Sequence, residues 1–368
     1  MPNDELPTML QTALSLSKPR SAFLAEIIKA LAATKTVNLS ELALSIPGEA
    51  KPDSRHRQLQ RFFKDTVFDD DAVARHVMQV LDYDMNPYYL ALDRTNWKYG
   101  QTEINALVLS VQHHGTAIPL YYQVVNKAGN SGQAARTALL DRFVSQFGSG
   151  FIKGLIGDRE FIGSHWWQWL SEHHLPFIFR IRRDQKLHDG NLNPPRTVAQ
   201  QFSGLKSGKQ SRLRKPRWIG KVKVWISAKR LNDGQLLVLA CSRQTANPFK
   251  VYAVRWGIEH LFQCLKGRGF RLEETRLTHC SRIKNLLSVL ALAVVWAIKV
   301  GEWQVRQIAP LTYGKDGYPR KSLFRLGLDT LTALFRRRNT HPTDIMKVIT
   351  LWFYPLSLMT RRRFVTPA

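Results

Sequence analysis

Cysteine is scarce. Cys241, Cys264 and Cys280 are the only three in 368 residues, and no two have CxxC spacing. That argues against a disulfide framework or a cysteine-type zinc site, and a reducing cytoplasm is the expected compartment. Acidic residues are also in short supply. The chain has 28 Asp and Glu against 54 Lys and Arg, a formal net charge of +26 and a pI near 10.3. Such an imbalance points to a polyanionic partner, nucleic acid first and an anionic membrane surface second. Long apolar runs are missing too. The longest, Leu286 to Ile298, is interrupted by Ser288 and closed by Lys299. It falls short of the roughly 20 residues a membrane span needs and is expected to be a buried core helix. The opening MPNDELPT has neither a basic nor an apolar leader segment, so no secretory signal and no membrane partner are expected.

What is present is ordinary core material: 44% of residues are apolar, enough for two or three domains in a chain of this length. Residues 1–85 read as a separate helical segment. Ser21–Leu31 and Asp71–Leu81 have helical apolar spacing, and Pro47, Gly48 and Pro52 break the chain between them. In SRHRQLQRFFKD, capped by Asp53 or Ser54, Leu59, Phe62 and Phe63 share one helical face. Arg57, Arg61 and Lys64 share another, a pattern that fits either DNA-backbone docking or an ordinary solvated face. Tyr83 to Tyr89 marks a boundary.

A strand series follows. YYLALDRT closes its apolar run at Asp93. INALVLSVQ and IPLYYQVV are joined by HHGTA as a hairpin, and Gly129 to Gly132 is a loop. Gln133–Phe147 is an amphipathic helix, FIKGLIG a buried strand ending at Asp158, SHWWQWLSEHH a helix and LPFIFRIR a strand. The order β-β-β-α-β-α-β predicts a mixed sheet covered by helices. His113 and His114 have no third ligand near them in sequence and read as turn residues. Asp93 and Asp158 each follow an apolar run, where Asp commonly ends a strand. On neighbouring strands the two carboxylates would repel unless a cation bridged them.

Val251 to Phe270 reads as one helix carrying Tyr252, Arg255, Glu259 and Lys266. At 100° per residue these four fall on one narrow stripe, with Ile258, Leu261, Phe262 and Leu265 facing a core. A carboxylate flanked by two cations and a phenol suits a site for metal ions and phosphate oxygens. The spacing Tyr-x2-Arg-x3-Glu-x6-Lys resembles the signature of bacterial cut-and-paste DDE transposases of the insertion-sequence-four family. LDRTNW and IGDREF resemble the two Asp boxes of that family. The resemblance covers Asp93 to Lys266, about half the chain, and implies an RNase H-like core with a β-rich insertion. It implies Asp93, Asp158 and Glu259 as catalytic residues holding two Mg²⁺ ions, with Mn²⁺ able to substitute, and Tyr252, Arg255 and Lys266 on DNA phosphates. It also implies cleavage through a DNA hairpin, transfer to target DNA, and a homodimer acting on paired double-stranded ends.

Between Asp158 and Glu259 lie 100 residues. Gly190 to Asn232 holds eleven basic residues and no acidic one. KVKVWISAKR and QLLVLAC read as strands around an Asn-Asp-Gly turn, giving an insertion with one cationic side suited to phosphate. Trp225, and as second choice Trp218, are the tryptophans that the resemblance would stack on a flipped base; each is equally a core aromatic. The expected division is 1–85 helical and DNA-binding, 86–184 and 246–310 catalytic core, 185–245 basic insertion, and 311–368 a basic helical region ending in Arg336–Arg338 and Arg361–Arg363. The function expected is a DNA transposase, nucleoid-associated when bound. The rivals are a catalytically inactive or domesticated DNA-binding relative and an RNase H-fold repair nuclease.

Overall fold

The computed structural model describes residues 2–81, 87–126, 129, 132–190, 194–315, 317, 319–336 and 341–353. Most of the expected Tyr83–Tyr89 boundary, two residues of the Gly129–Gly132 loop, Arg337, Arg338 and the Arg361–Arg363 run lie outside these.

Five helices come first: α1 (Pro2–Leu14), α2 (Lys18–Thr34), α3 (Leu39–Ser45), α4 (Pro52–Asp65) and α5 (Asp70–Val80). Next come β1 (Tyr88–Tyr99), β2 (Thr102–His113), β3 (Thr116–Val125), α6 (Gln133–Phe147), β4 (Ile152–Gly157), α7 (Ser164–Glu172) and β5 (Phe177–Ile181). The segment after them holds β6 (Lys186–Leu187), β7 (Arg196–Thr197), α8 (Val198–Gln201), β8 (Gln210–Arg212), β9 (Arg217–Ile219), β10 (Val222–Arg230) and β11 (Leu236–Cys241). The chain then runs through α9 (Pro248–Ala253), α10 (Trp256–Leu265), α11 (Cys280–Gln307), α12 (Leu323–Arg336) and α13 (Pro342–Phe353).

The fold is mixed α/β, as the strand and helix order predicted. One nine-stranded sheet runs β3-β2-β1-β4-β5-β11-β10-β8, with β9 paired to β10. β1 to β3 form an antiparallel meander, while β4 lies parallel to both β1 and β5. The insertion strands β11, β10 and β8 continue this sheet antiparallel from β5. Alternating apolar residues in KVKVWISAKR bury Val222, Val224 and Ile226 and leave Lys221 and Lys223 exposed.

The apolar faces of the N-terminal helices belong to one continuous core shared with α11, α12 and β3. Leu59, Phe62 and Phe63 of α4 are buried, and Phe62 meets Phe23, Phe63 and Phe68 edge-on. Burying each such ring contributes about 1.5–3 kcal/mol. Neither Asp53 nor Ser54 caps α4; Lys51 stands at that position without a side-chain bond, and the helix begins on Pro52. Its other end is held from outside, because Asn285 Nδ2 of α11 donates to the carbonyls of Phe63 and Thr66 at 2.9 and 2.7 Å.

α11 is the central strut. It is long and apolar enough to cross a membrane, but its most apolar stretch is 94% buried inside the protein. α12 crosses it backbone to backbone: a Cβ on Gly327 would stand 1.7 Å from the carbonyl oxygen of Ala297. A second, smaller apolar cluster joins Ile156, Ile178, Leu239, Cys241 and Tyr252, with Trp225 packed against it.

Candidate active site

Asp93 does not end its strand. β1 continues to Tyr99, and Asp93 pairs with Val108 of β2. What stops is the pairing on the other side. β4 ends at Gly157, and its last register pair with β1 is Ala91 with Ile156. Extending that parallel register by two residues brings Asp93 level with Asp158. Neighbouring strands lie about 4.8 Å apart, so the two carboxylates emerge side by side where the sheet opens between β1 and β4. Gly157 precedes Asp158 for lack of room, since a Cβ there would meet Phe179 at 2.8 Å and Phe161 at 3.0 Å.

The two Asp boxes are also stitched together. Arg94 donates to Glu160 at 2.8 and 2.5 Å, and Glu160's carbonyl accepts from Arg136 at 3.0 Å. Asp93 Oδ1 accepts from the Arg94 N–H at 2.8 Å, and Asp158 Oδ1 from the Arg159 N–H at 2.7 Å. Asp158 thereby caps the short 3₁₀ turn Arg159–Phe161. Arg94 and Glu160 sit inside the motifs, but motif spacing alone did not single them out as partners.

The signature segment is not one helix. α9 and α10 meet at Val254 and Arg255, where Arg255, Gly257 and Ile258 N–H groups bond three residues back. Such 3₁₀ tightening turns 120° per residue instead of 100°, so the single stripe breaks up. α10 ends at Leu265, and Lys266 terminates it in a non-helical conformation ahead of Gly267 and Gly269. Tyr252 therefore belongs to α9 and Lys266 to the turn beyond α10.

α10 is seated on the face of the sheet that carries Asp93. Paired β residues share a face, so Gln112 of β2 is on the same side as Tyr89, Ala91 and Asp93. Gly257 rests there: a Cβ would stand 2.1 Å from Gln112 Oε1 and 3.1 Å from the Thr116 carbonyl oxygen. This seat brings Arg255 and Glu259 to Asp93. Arg255 Nη1 donates to Asp93 Oδ2 at 3.2 Å, and Nη2 donates to Glu259 Oε1. Asp158 lies near enough to add to the field at both Asp93 and Arg255. The Arg255 side chain is only 11% exposed, so a cation is held among three carboxylates.

Burial, more than charge, sets the protonation of Asp93. Burial pushes its carboxyl up to about 6. Glu160 and Asp158 push the same way, against the Arg94 N–H and Arg255. Carboxylate oxygens are the donors a hard divalent cation takes, so Asp93, Asp158 and Glu259 fit such an ion by donor type. Asp93, Asp158 and Glu259 do not close into a trio of ligand atoms within 4.8 Å. Among the described residues the trio that does is His113, His114 and Glu302. The histidines do sit at the hairpin turn, and α11, 189 positions along the chain, supplies the third member of the group, Glu302.

The remaining candidates are placed as follows. Lys266 Nζ donates to the Asn96 carbonyl at 2.9 Å and pairs with Glu273 at 2.7 Å. Tyr252 is buried, its hydroxyl is without a hydrogen-bond partner among the described residues, and its ring lies 5.8 Å from the Arg255 guanidinium. Burial raises its pKa above the usual phenol range. Trp225 is committed to the second apolar cluster, whereas Trp218 is 37% exposed with Lys223 Nζ 5.8 Å from its ring. Trp256 is a further accessible aromatic, which spacing in the sequence does not distinguish. It is 60% exposed, beside Arg255, whose guanidinium lies 5.9 Å from its ring. Arg57, Arg61 and Lys64 all lie on the exposed face of α4.

Comparison with known proteins matches residues 86–296, more than half the chain, to a family described as "Transposase DDE domain". No curated protein matches the chain. Among solved structures, a cryo-EM piggyBac transposase synaptic complex with hairpin DNA aligns with a TM-score of 0.45 and 11% identity, covering 96% of this chain and 83% of that one.

Proposed function

The chain belongs to the transposase DDE-domain family, and on that premise we propose that it cuts and joins DNA at Asp93, Asp158 and Glu259. The observation that carries the assignment is the Arg255 bridge. It ties the carboxylate on β1 to the one on α10, at the register where β4 delivers Asp158.

In this reading Asp93, Asp158 and Glu259 would hold two Mg²⁺ ions, with Mn²⁺ as a substitute, and the ions would supply Lewis-acid charge to a displacement at phosphorus. The chain does the rest. Arg255 keeps Asp93 and Glu259 neutralised in the resting protein. Once their charge is met otherwise, its guanidinium is released to a phosphate oxygen, a geometry for which Arg is suited. Tyr252 supplies a buried hydroxyl, without a partner among the described residues, as a donor. Lys266 exchanges the exposed Glu273 for phosphate while its tie to Asn96 keeps it beside β1. Trp256 and Trp218 are the accessible aromatics on which an unpaired base could stack.

The exposed basic residues of 196–223, with Arg57, Arg61 and Lys64 on α4, make the phosphate contacts that position double-stranded DNA. The finer assignment is an insertion-sequence-four type enzyme of bacterial cytoplasm. It binds its element's inverted-repeat ends as a homodimer, cuts through a hairpin intermediate and transfers the ends to target DNA. This rests on the Tyr252-Arg255-Glu259-Lys266 spacing.

The test is cleavage of duplexes carrying the DNA that flanks the coding sequence, with Mg²⁺ and with EDTA. Strand cleavage that needs Mg²⁺ supports the reading. Tight binding to those ends with no cleavage under any divalent ion would favour the rival, a DNA-binding relative without chemistry.

A further inference from the structure

The β2–β3 hairpin carries a second group of metal-ligating side chains. His113 is the last residue of β2, and the turn is His114–Gly115, with φ of 45° and 79°. Two successive left-handed residues make the tight turn that matches strand twist, a position usually given to Asn or Gly. Histidine is among the few non-glycine residues that tolerate such a position. Its effect is to set two consecutive imidazoles edge to face, with centroids 4.3 Å apart. Both aim at one carboxylate of the buried strut. Glu302 Oε1 of α11 lies 2.5 Å from His113 Nε2 and 3.8 Å from His114 Nε2. Glu302 is 6% exposed, and its other oxygen faces Lys299 Nζ at 3.9 Å.

We propose that His113, His114 and Glu302 bind one transition-metal ion of the zinc class, at a site separate from the Asp93, Asp158 and Glu259 carboxylates. The donor set decides the class. Two imidazole nitrogens and one carboxylate oxygen suit Zn²⁺ or Co²⁺, whereas Mg²⁺ takes oxygen ligands. The spacing fits as well. Ligands bound at about 2.0–2.1 Å in a tetrahedron stand roughly 3.3 Å apart, and the 2.5 and 3.8 Å separations bracket that value. All three ligand atoms lie within 4.8 Å of one another. His114 is 61% exposed, which leaves the fourth position to water. Lys299 Nζ lies 3.9 Å from the second oxygen of Glu302, while the first is the one near the histidines.

The site has a structural consequence. The ion would tie the hairpin to α11, and the hairpin is the seat of α10. His260 Nδ1 of α10 lies 3.2 Å from the Gly115 carbonyl oxygen, and Gly257 packs on Gln112 and Thr116. Binding here therefore stiffens the support of the helix that carries Glu259.

The test is Co²⁺ titration of the full-length, chelator-stripped chain, followed by the visible absorption of tetrahedral Co²⁺. One equivalent should bind, Zn²⁺ should displace it and excess Mg²⁺ should not. His114→Asn keeps a residue that tolerates the left-handed turn, so the fold is retained. It should weaken Co²⁺ binding by more than about 100-fold, beyond the loss of an outer hydrogen bond. Asp93→Asn should leave the titration unchanged. No tetrahedral absorption in the wild-type chain, or unchanged affinity in His114→Asn, overturns the proposal. So does loss of binding in Asp93→Asn, which would place the ion at the other carboxylates.

Discussion

Arg255 Nη1 lies 3.2 Å from Asp93 Oδ2, across 162 positions of the chain. Its other amino group holds Glu259. One mostly buried cation thus balances two of the three carboxylates assigned to chemistry, and the third contributes to its field.

Removing that cation should destabilise the apo chain. Breaking a buried pair from one side leaves an uncompensated charge, at about 3–5 kcal/mol. Arg255→Gln should lose about 3 kcal/mol in urea unfolding without divalent ions and recover much of it with Mn²⁺ or Mg²⁺. Loss of less than about 1 kcal/mol, or no recovery with either ion, would show that Arg255 and the ions do not share one electrostatic site.

The seat of α10 is equally specific. Gly257→Ala puts a methyl where Gln112 and the Thr116 carbonyl already stand. Overpacking costs about 1–3 kcal/mol, against at most about 1 kcal/mol gained in helix propensity. A net loss of about 1–2 kcal/mol is expected. Gln112→Ala in the same chain should return part of it, because the nearest clash is with that side chain. Equal losses with and without Gln112→Ala would contradict the contact.

Much of this was legible in the sequence, and the reasons differ by element. Continuous apolar, β-prone runs in YYLALDRT, INALVLSVQ and IPLYYQVV mark strands whose antiparallel and parallel neighbours follow from connection length. The two Asp boxes then fall on adjacent strands. The α9–α10 break was not legible, because a 3₁₀ turn at Val254–Arg255 leaves no mark in apolar spacing. Nor was the sharing of one core by α1–α5 and α11, since a helical apolar face does not name its partner. Glu302 and Trp256 escaped for related reasons. One completes a cluster across 189 positions, and the other shows its meaning only through exposure.

Acid sensitivity should trace to His76. This residue of α5 is 3% exposed against Trp352 and Phe353 of α13, its Nε2 lacks a hydrogen-bond partner among the described residues, and burial lowers its pKa to about 4. The unfolded chain, near 6.5, binds the proton more readily, so the stabilising contribution is full above pH 6.5 and is lost as pH falls toward 4. About 3 kcal/mol is at stake. Asp93 works in the opposite sense between about 4 and 6, its folded pKa being raised, so the comparison is wild type minus His76→Phe. That difference in unfolding free energy should shrink by about 3 kcal/mol between pH 7 and pH 4. A difference independent of pH would rule His76 out.

The insertion's cations divide by partner. Arg230 donates to the carbonyls of Leu205, Phe202 and Gly234 and is structural. Arg214 and Lys215 are exposed. Arg214→Ala with Lys215→Ala should reduce the slope of log affinity for duplex DNA against log salt by about 2 and leave stability within about 0.5 kcal/mol. An unchanged slope would remove this face from the DNA contact.

The most direct test of the catalytic assignment is Asp158→Cys on duplexes carrying the element's own ends. A thiolate ligand disfavours Mg²⁺ and suits softer ions. The predicted result is cleavage lost with Mg²⁺ and regained in part with Mn²⁺, with end binding preserved. Cleavage by Asp158→Cys with Mg²⁺ at the wild-type rate would contradict the account.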